Sequence, residues 1–166
     1  GIIVTMQIFP EFTIRGVGFA ILRITIFSYL FYGLMIYARK EQLLYFPDQT
    51  SFANCTELAN ATHVDMNGTR GYFFQNGTST KLAVLYHGNA GRACERAFYR
   101  TAIEHAGYSW LFVEYAGYAG DVDANGNIKT PSTKMILQDV RNVHEWVGSR
   151  RPDTLAIIGE SIGSGP

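Results

Sequence analysis

The stretch Leu155-Ala156-Ile157-Ile158-Gly159-Glu160-Ser161-Ile162-Gly163 places a Gly-x-Ser-x-Gly pattern directly after an apolar run that predicts a buried strand. A serine in such a sharp strand-to-helix turn takes strained backbone angles, and small residues on either side keep the neighbouring chain from clashing. Gly159 and Gly163 occupy those positions around Ser161. A glycine-rich surface turn would satisfy the same string, but its position after a buried strand favours a nucleophile elbow with Ser161 as the nucleophile.

The partners of such a serine are expected further along the chain. In this architecture the acid and the histidine follow the serine, yet only five residues follow Ser161. We therefore expect the chain to be truncated after the elbow, with both partners beyond Pro166, and the 166 residues alone to be inactive. Four earlier residues are expected to be surface polar groups of helices and strands rather than catalytic groups: His63, His105, Asp139 and His144.

A second glycine-rich segment, His87-Gly88-Asn89-Ala90-Gly91, follows the predicted strand Leu82–Tyr86. Backbone N–H groups aimed at a developing oxyanion each lower the barrier to acyl transfer by about 3 to 4 kcal/mol. We assign one donor to the backbone N–H of Ile162 and the other to that of Asn89, with Ala90 as the alternative. An ordinary strand-to-helix turn would explain the segment alone, but two such segments after parallel strands converge on the edge where these sheets bind ligands.

Strands and helices alternate between residues 62 and 158, which predicts an α/β domain with parallel strand pairing. Asn67-Gly68 between the first two predicted strands is a hairpin signal, so an antiparallel edge should precede the parallel strands. The predicted strands are Thr62–Met66, Arg70–Gln75, Leu82–Tyr86, Ser109–Tyr115 and Thr154–Ile158, and the predicted helices are Arg92–His105 and Ser132–Val147.

An apolar segment from Val17 to Tyr37 carries a single charge, Arg23, in twenty-one residues. That length and composition predict a transmembrane helix. A signal peptide and a buried core helix are the alternatives. The chain thus divides into residues 1–40 with the anchor, a connection over 41–61, and an incomplete α/β domain over 62–166.

The side of the membrane is left open by the charges, because basic residues flank both ends of the apolar segment. The two cysteines, Cys55 and Cys94, form either a disulfide in an oxidising compartment or a pair of buried thiols. We expect a single-pass membrane protein and slightly favour an extracytoplasmic domain.

Composition excludes several classes of function. Fourteen basic residues balance fourteen acidic ones, so no basic excess is available for a nucleic-acid backbone. Gly163-Ser164-Gly165 lacks the lysine of a phosphate-binding loop. Neither cysteine has a second ligand at metal-site spacing. We predict no nucleic-acid partner, no metal and no cofactor.

Four segments of the chain resemble the α/β-hydrolase superfamily, and within it the membrane-anchored branch that includes depalmitoylating thioesterases and serine-peptidase-like hydrolases. They are Leu43-Leu44-Tyr45-Phe46-Pro47 after the anchor, Tyr86-His87-Gly88-Asn89-Ala90-Gly91, Glu114-Tyr115-Ala116-Gly117-Tyr118-Ala119-Gly120, and Gly159-Glu160-Ser161-Ile162-Gly163. The resemblance implies an eight-stranded, mostly parallel sheet with flanking helices, of which this chain supplies about the first five strands.

The resemblance also implies a function for the full-length protein. Ser161 would attack an ester or thioester carbonyl, with a histidine as general base and an aspartate orienting it, to form an acyl-enzyme. Tyr115 and Tyr118 are candidates for lining the substrate pocket, with ordinary packing as the alternative. The expected substrate is a small-molecule or lipidated ester or thioester near the membrane. The alternatives are a membrane-tethered, non-catalytic pseudo-hydrolase that binds or scaffolds, and a serine peptidase with the same triad.

Overall fold

The computed structural model describes residues 14–165, which belong to two units divided after Lys40. Helix α1 covers Ile14–Leu44 and contains the predicted anchor. Its stretch Arg15–Leu44 has a mean hydropathy of 1.8 and is long and apolar enough to cross a membrane. No part of its most apolar 18-residue stretch is buried, which argues against a core helix. A signal sequence would have a similar length and hydropathy.

The second unit is an α/β structure built on a five-stranded mixed sheet. Its strands are β2 (Thr62–Met66), β3 (Thr69–Phe74), β4 (Lys81–Tyr86), β6 (Ser109–Glu114) and β7 (Thr154–Gly159), in the spatial order β2-β3-β6-β4-β7. Only β3 is reversed, because it pairs antiparallel with both β2 and β6, while β4 pairs parallel with β6 and β7. The antiparallel edge and the parallel strands are therefore as predicted. The prediction that the run before Ser161 is a buried strand is wrong for the described residues, because β7 lies at the edge of the sheet and exposes Leu155 and Ile157.

Helices cover both faces of this sheet. Helix α3, Thr133–Arg150, packs its apolar stripe on the face that carries Val84 and Val113. The other face, with Leu85 and Phe112, packs against the segment between β4 and β6. The connection from β4 to β6 and helix α3, which connects β6 to β7, thus lie on opposite faces of the sheet. The carboxyl ends of β4 and β7 consequently meet at a point where the connections diverge, which is where open α/β sheets form ligand crevices.

The segment between β4 and β6 differs from the single helix predicted over Arg92–His105. It begins as a 3-10 helix, Ala93–Tyr99, and becomes α-helical only in α2, Arg100–His105. The N–H of Ala93 donates to the buried carboxylate of Glu114. Helix α3 extends three residues beyond its predicted end and stops at Arg151, which has a left-handed φ of 48°.

A two-stranded parallel ladder was not predicted from the sequence. Strand β1, Phe46–Pro47, pairs with β5, Ala90–Gly91, and the N–H of Asp48 continues the ladder to the carbonyl of Gly91. The segment that follows α1 is therefore hydrogen-bonded directly to the glycine-rich loop after β4.

The connection over 41–61 is also fastened by a covalent bond. Cys55 forms a disulfide with Cys94, which lies in the 3-10 helix Ala93–Tyr99. Both residues are buried. The disulfide resolves the alternative that the sequence left open between a cystine and two free thiols.

Candidate active site

Ser161 lies on a sharp turn at the carboxyl end of β7. Its φ is 53°, in the left-handed region that non-glycine residues rarely adopt. The turn is anchored to the neighbouring strand because the N–H of Glu160 donates to the carbonyl of Tyr86 at 3.0 Å. A short 3-10 helix, Ser161–Ser164, follows, and the Ser161 residue is exposed.

The two glycines around Ser161 are sterically required by this turn. A Cβ on Gly159 would lie 2.6 Å from the carbonyl oxygen of Gly163. A Cβ on Gly163 would lie 2.7 Å from the carbonyl oxygen of His87 and closer still to that of Tyr86. The backbone after the serine is thus pressed against the start of the 87–91 loop, so the two glycine-rich segments lie side by side.

The 87–91 loop is held by its carbonyl groups and by one side chain. The hydroxyl of Tyr115 donates to the carbonyl of His87 at 3.2 Å, and that of Tyr118 donates to the carbonyl of Asn89 at 2.8 Å. The Asn89 side-chain amide donates to the carbonyl of Leu44. Among residues 14–165, the backbone N–H of Asn89 has no hydrogen-bond partner. It is therefore free to bind an anionic oxygen.

Tyr115 and Tyr118 are supporting residues in this part of the chain. Both are fully buried, and burial raises the pKa of each hydroxyl well above its usual range. They therefore remain protonated donors to the loop at neutral pH. Their role in lining a substrate pocket stays a prediction.

His87 is buried beneath the loop and is paired with Glu114. Its Nε2 lies 3.1 Å from Oε1 of Glu114, and its Nδ1 lies 2.8 Å from the carbonyl oxygen of Gly88. Since a carbonyl only accepts, Nδ1 is the donor to Gly88. Glu114 accepts the N–H of Ala93 through its other oxygen. Glu114 thus fastens the segment that follows the loop and lies against the histidine that begins it, while His87 Nε2 and Glu114 Oε1 make no hydrogen bond within the described residues.

Arg96 links the loop to the elbow. Its guanidinium donates to both carboxylate oxygens of Glu160, from Nε at 3.2 Å and from Nη2 at 2.8 Å. Nη2 also donates to the carbonyl of Ala90 at 3.0 Å. Burial opposes the charge, but the hydrogen bond and the charge of Glu160 outweigh it and raise the pKa of Arg96.

Asp139 corrects an expectation from the sequence. It is buried rather than a surface residue of α3, and its carboxylate accepts the Thr69 hydroxyl at 2.6 Å and the N–H of Ala116 at 2.8 Å. Burial raises its pKa. Asp139 therefore fixes the start of the tyrosine-glycine loop, whereas His63, His105 and His144 are exposed, as expected.

The described residues include the exposed Ser161 and the unpartnered N–H of Asn89 but no proton acceptor for the serine hydroxyl. Among residues 14–165, neither a histidine nor a carboxylate is hydrogen-bonded to the Ser161 hydroxyl. One group of potential metal ligands comprises Cys55, Glu57 and Cys94. Because the two sulfurs are bonded to each other, they cannot act as thiolate ligands.

A groove of about 340 Å³ lies at the opposite end of the sheet from the candidate site. It is lined by Lys81 and Ser109, at the amino ends of their strands, and by Arg150 and Arg151. Ligand sites in open α/β sheets form at the carboxyl ends. We assign this groove no part in the chemistry of Ser161.

Glu114, Arg96 and Asp139 are structural parts of the site that sequence reasoning missed. Glu114 offered a signal, because a carboxylate that ends an apolar strand is seldom placed there without a partner. Arg96 and Asp139 offered none, since their partners lie 64 and 70 residues away along the chain.

Comparisons with known proteins find distant relatives of this chain. No family model matches it. The "Uncharacterized protein Rv2307c" of Mycobacterium tuberculosis (strain ATCC 25618 / H37Rv) is 28% identical over 142 residues, which cover 79% of this chain. The "Uncharacterized protein MT2364" of Mycobacterium tuberculosis (strain CDC 1551 / Oshkosh) is 28% identical over 140 residues, which cover 78% of this chain. The chain spans about half the length of these relatives, since each match covers 48% of the relative.

Proposed function

We propose that the full-length protein is a membrane-anchored serine hydrolase of the α/β-hydrolase type that cleaves carboxylic ester or thioester bonds through an acyl-enzyme. The observation that carries the proposal is the contact between two segments. Ser161 has a left-handed φ on a turn whose Gly163 presses against the start of the 87–91 loop, and that loop presents the unpartnered N–H of Asn89.

The proposed chemistry follows from these positions. The Ser161 oxygen attacks the carbonyl carbon, and negative charge develops on the carbonyl oxygen. The backbone N–H groups of Ile162 and Asn89 stabilise that charge, because preorganised donors need no reorganisation as the reaction proceeds. The proton of the serine passes to a general base, which returns it to the departing alcohol or thiol as the ester C–O or thioester C–S bond breaks. Water then releases the acyl group from Ser161 as a carboxylic acid. Since no described residue accepts the serine proton, the base is expected from a histidine in the rest of the full-length protein.

The strand order gives independent support. The connection from β4 to β6 and helix α3, which connects β6 to β7, lie on opposite faces of the sheet, so the ends of β4 and β7 border a crevice. The elbow and the 87–91 loop are the segments that follow these two strands. Ligands of open α/β sheets bind at such a point.

The substrate class is inferred from the segment after the apolar helix. Strand β1 pairs with Ala90–Gly91, and the carbonyl of Leu44 accepts the Asn89 amide. Because the same chain carries an apolar helix that we predict to be a membrane anchor, amphiphilic substrates such as lipidated esters and thioesters are favoured.

A serine-directed fluorophosphonate probe tests the proposal on the full-length protein. We expect covalent labelling that is lost in Ser161→Ala and kept in the control Ser149→Ala, which removes an exposed hydroxyl on α3. Hydrolysis of long-chain acyl thioesters in vesicles should exceed that of soluble acetyl esters. A folded wild-type protein that the probe does not label would refute the enzyme assignment.

The absence of a proton acceptor near Ser161 within residues 14–165 also suits a second function. A pseudo-hydrolase would keep the turn and the loop to bind a ligand or partner without turnover. Such a protein would bind acyl compounds without hydrolysing them and would stay unlabelled. A serine peptidase would be labelled as well, and it is distinguished by faster cleavage of peptide amides than of esters.

A further inference from the structure

The two proposed oxyanion donors belong to different segments, so something must set the distance between them. The ladder between β4 and β7 ends at the pair Tyr86 and Gly159. Beyond it, the amide of Asn89 follows the path of the 87–91 loop, whereas that of Ile162 follows the turn after Ser161. A displacement of either amide by a fraction of an ångström weakens its hydrogen bond to the oxyanion.

The side chain of Arg96 is the described group that holds both segments by hydrogen bonds. It binds Glu160, directly before the nucleophile, through two nitrogens and the carbonyl of Ala90 through one of them. Its remaining nitrogen, Nη1, donates to Glu95 at 3.0 Å. The side chain is only 13% exposed and that of Glu160 32% exposed, so the ion pair is partly shielded from water. A two-pronged guanidinium contact fixes orientation as well as distance, which an ammonium group cannot do.

The Glu160 carboxylate is also a potential liability to catalysis. A Cβ on Gly88 would lie 2.8 Å from Oε1 of Glu160, so this carboxylate lies directly against the loop. A negative charge beside a developing oxyanion raises the energy of the transition state. Arg96 offsets the charge of Glu160 at the same time as it aligns the two segments.

We propose that Arg96 is a positioning residue that sets the geometry of the oxyanion hole by clamping Glu160 to the 87–91 loop and by neutralising the Glu160 carboxylate. The proposal rests on the hydrolase function above. Loss of the guanidinium leaves Ser161 on its turn, because Gly159 and Gly163 are unchanged, but it frees the loop and exposes the site to an unpaired carboxylate. The expected loss is in transition-state stabilisation and not in substrate binding.

The test compares full-length variants in the hydrolysis of p-nitrophenyl butyrate. Arg96→Met should lower kcat on the order of tenfold to hundredfold with KM changed by less than about twofold. Arg96→Lys should have an intermediate kcat, because lysine keeps the positive charge but cannot make the two-nitrogen contact of the guanidinium with Glu160. Arg96→Met combined with Glu160→Gln should be more active than Arg96→Met alone, since the unpaired carboxylate is gone. The matched control is Arg100→Met, which removes another ion-paired arginine from the same segment.

A second readout separates positioning from a general loss of structure. Affinity for a trifluoromethyl ketone, which forms a tetrahedral oxyanion with the serine, should fall in proportion to kcat/KM across the series. The proposal is overturned if Arg96→Met behaves like Arg100→Met, if activity falls only in proportion to the folded fraction, or if Glu160→Gln gives no recovery. A wild-type protein that neither hydrolyses the ester nor reacts with fluorophosphonate overturns this proposal together with the hydrolase function. If Arg96→Met keeps its activity, the positioning role of Arg96 is overturned and the hydrolase function is not.

Discussion

The replacement Gly163→Ala tests the contact between the elbow and the loop most directly. The new methyl group would overlap two backbone carbonyl oxygens, those of Tyr86 and His87, the second at 2.7 Å. Both oxygens are held in place, because the carbonyl of Tyr86 lies in β4 and accepts the N–H of Glu160, and that of His87 accepts the Tyr115 hydroxyl. Overpacking of this kind costs about 1 to 3 kcal/mol and sometimes more. We expect a loss of about 3 kcal/mol in the free energy of unfolding of the full-length protein.

The matched control is Gly148→Ala, on the exposed side of α3, where an added Cβ meets nothing within 4 Å. This change should raise stability by up to about 1 kcal/mol, because glycine is the poorer helix former. Urea denaturation measures both variants, and the rate of fluorophosphonate labelling reports the position of the serine. If Gly163→Ala matches Gly148→Ala in denaturation midpoint and in labelling rate, the elbow is not packed against the loop, and the reasoning that joins the two segments fails.

Three further predictions concern the structure around the site. Replacing Cys55 and Cys94 by alanine removes a cross-link that spans 39 residues, and the loop-entropy relation gives a loss of about 4 kcal/mol in unfolding free energy; an unchanged urea midpoint under non-reducing conditions would contradict it. Ser132→Ala removes the side chain that caps α3 through the N–H of Met135 and should cost about 1 kcal/mol in thermal unfolding, with Ser132→Asp close to neutral. Burial raises the pKa of Asp139, so its contribution to stability is greatest below its unfolded pKa and is lost as the pH rises through the folded pKa; the stability of the wild type relative to Asp139→Asn should fall as the pH rises above 3.8, the usual pKa of this side chain, and a difference that rises instead would reverse the assignment.

Local sequence signals explain why the main elements could be predicted. Asn67 and Gly68 both adopt positive φ values, 54° and 92°, as a tight hairpin turn requires. The alternation of apolar runs with an amphipathic helix fixed the order of strands and helices, because these periods are properties of contiguous residues. The glycines around Ser161 were informative for the same reason, since the steric conflict they avoid lies within the turn and its immediate neighbours.

Long-range pairings explain what the sequence did not reveal. Strand β1 has two residues, one of them a proline, so it shows no strand periodicity and exists only through its partner near Gly91. Asp139 lies beside an apolar stripe, where periodicity alone assigns it to the surface. The N–H of Ala116 and the hydroxyl of Thr69 satisfy its carboxylate and make its burial acceptable. Arg96 and Glu160 are 64 residues apart in the sequence, so no local sequence pattern indicates that they form an ion pair.

The pairing of β1 with β5 has a practical consequence for anyone who wishes to prepare a soluble, secreted version of this protein. A new amino terminus placed after Pro47 would delete one partner of the ladder and the Leu44 carbonyl that receives the Asn89 amide. The product would lack the apolar segment, but its 87–91 loop would lose two of its contacts, and the core would lose the buried Tyr45. Expression boundaries should therefore begin at or before Glu41, and a protease that cuts the chain between Leu44 and Asp48 should release the 87–91 loop from this support.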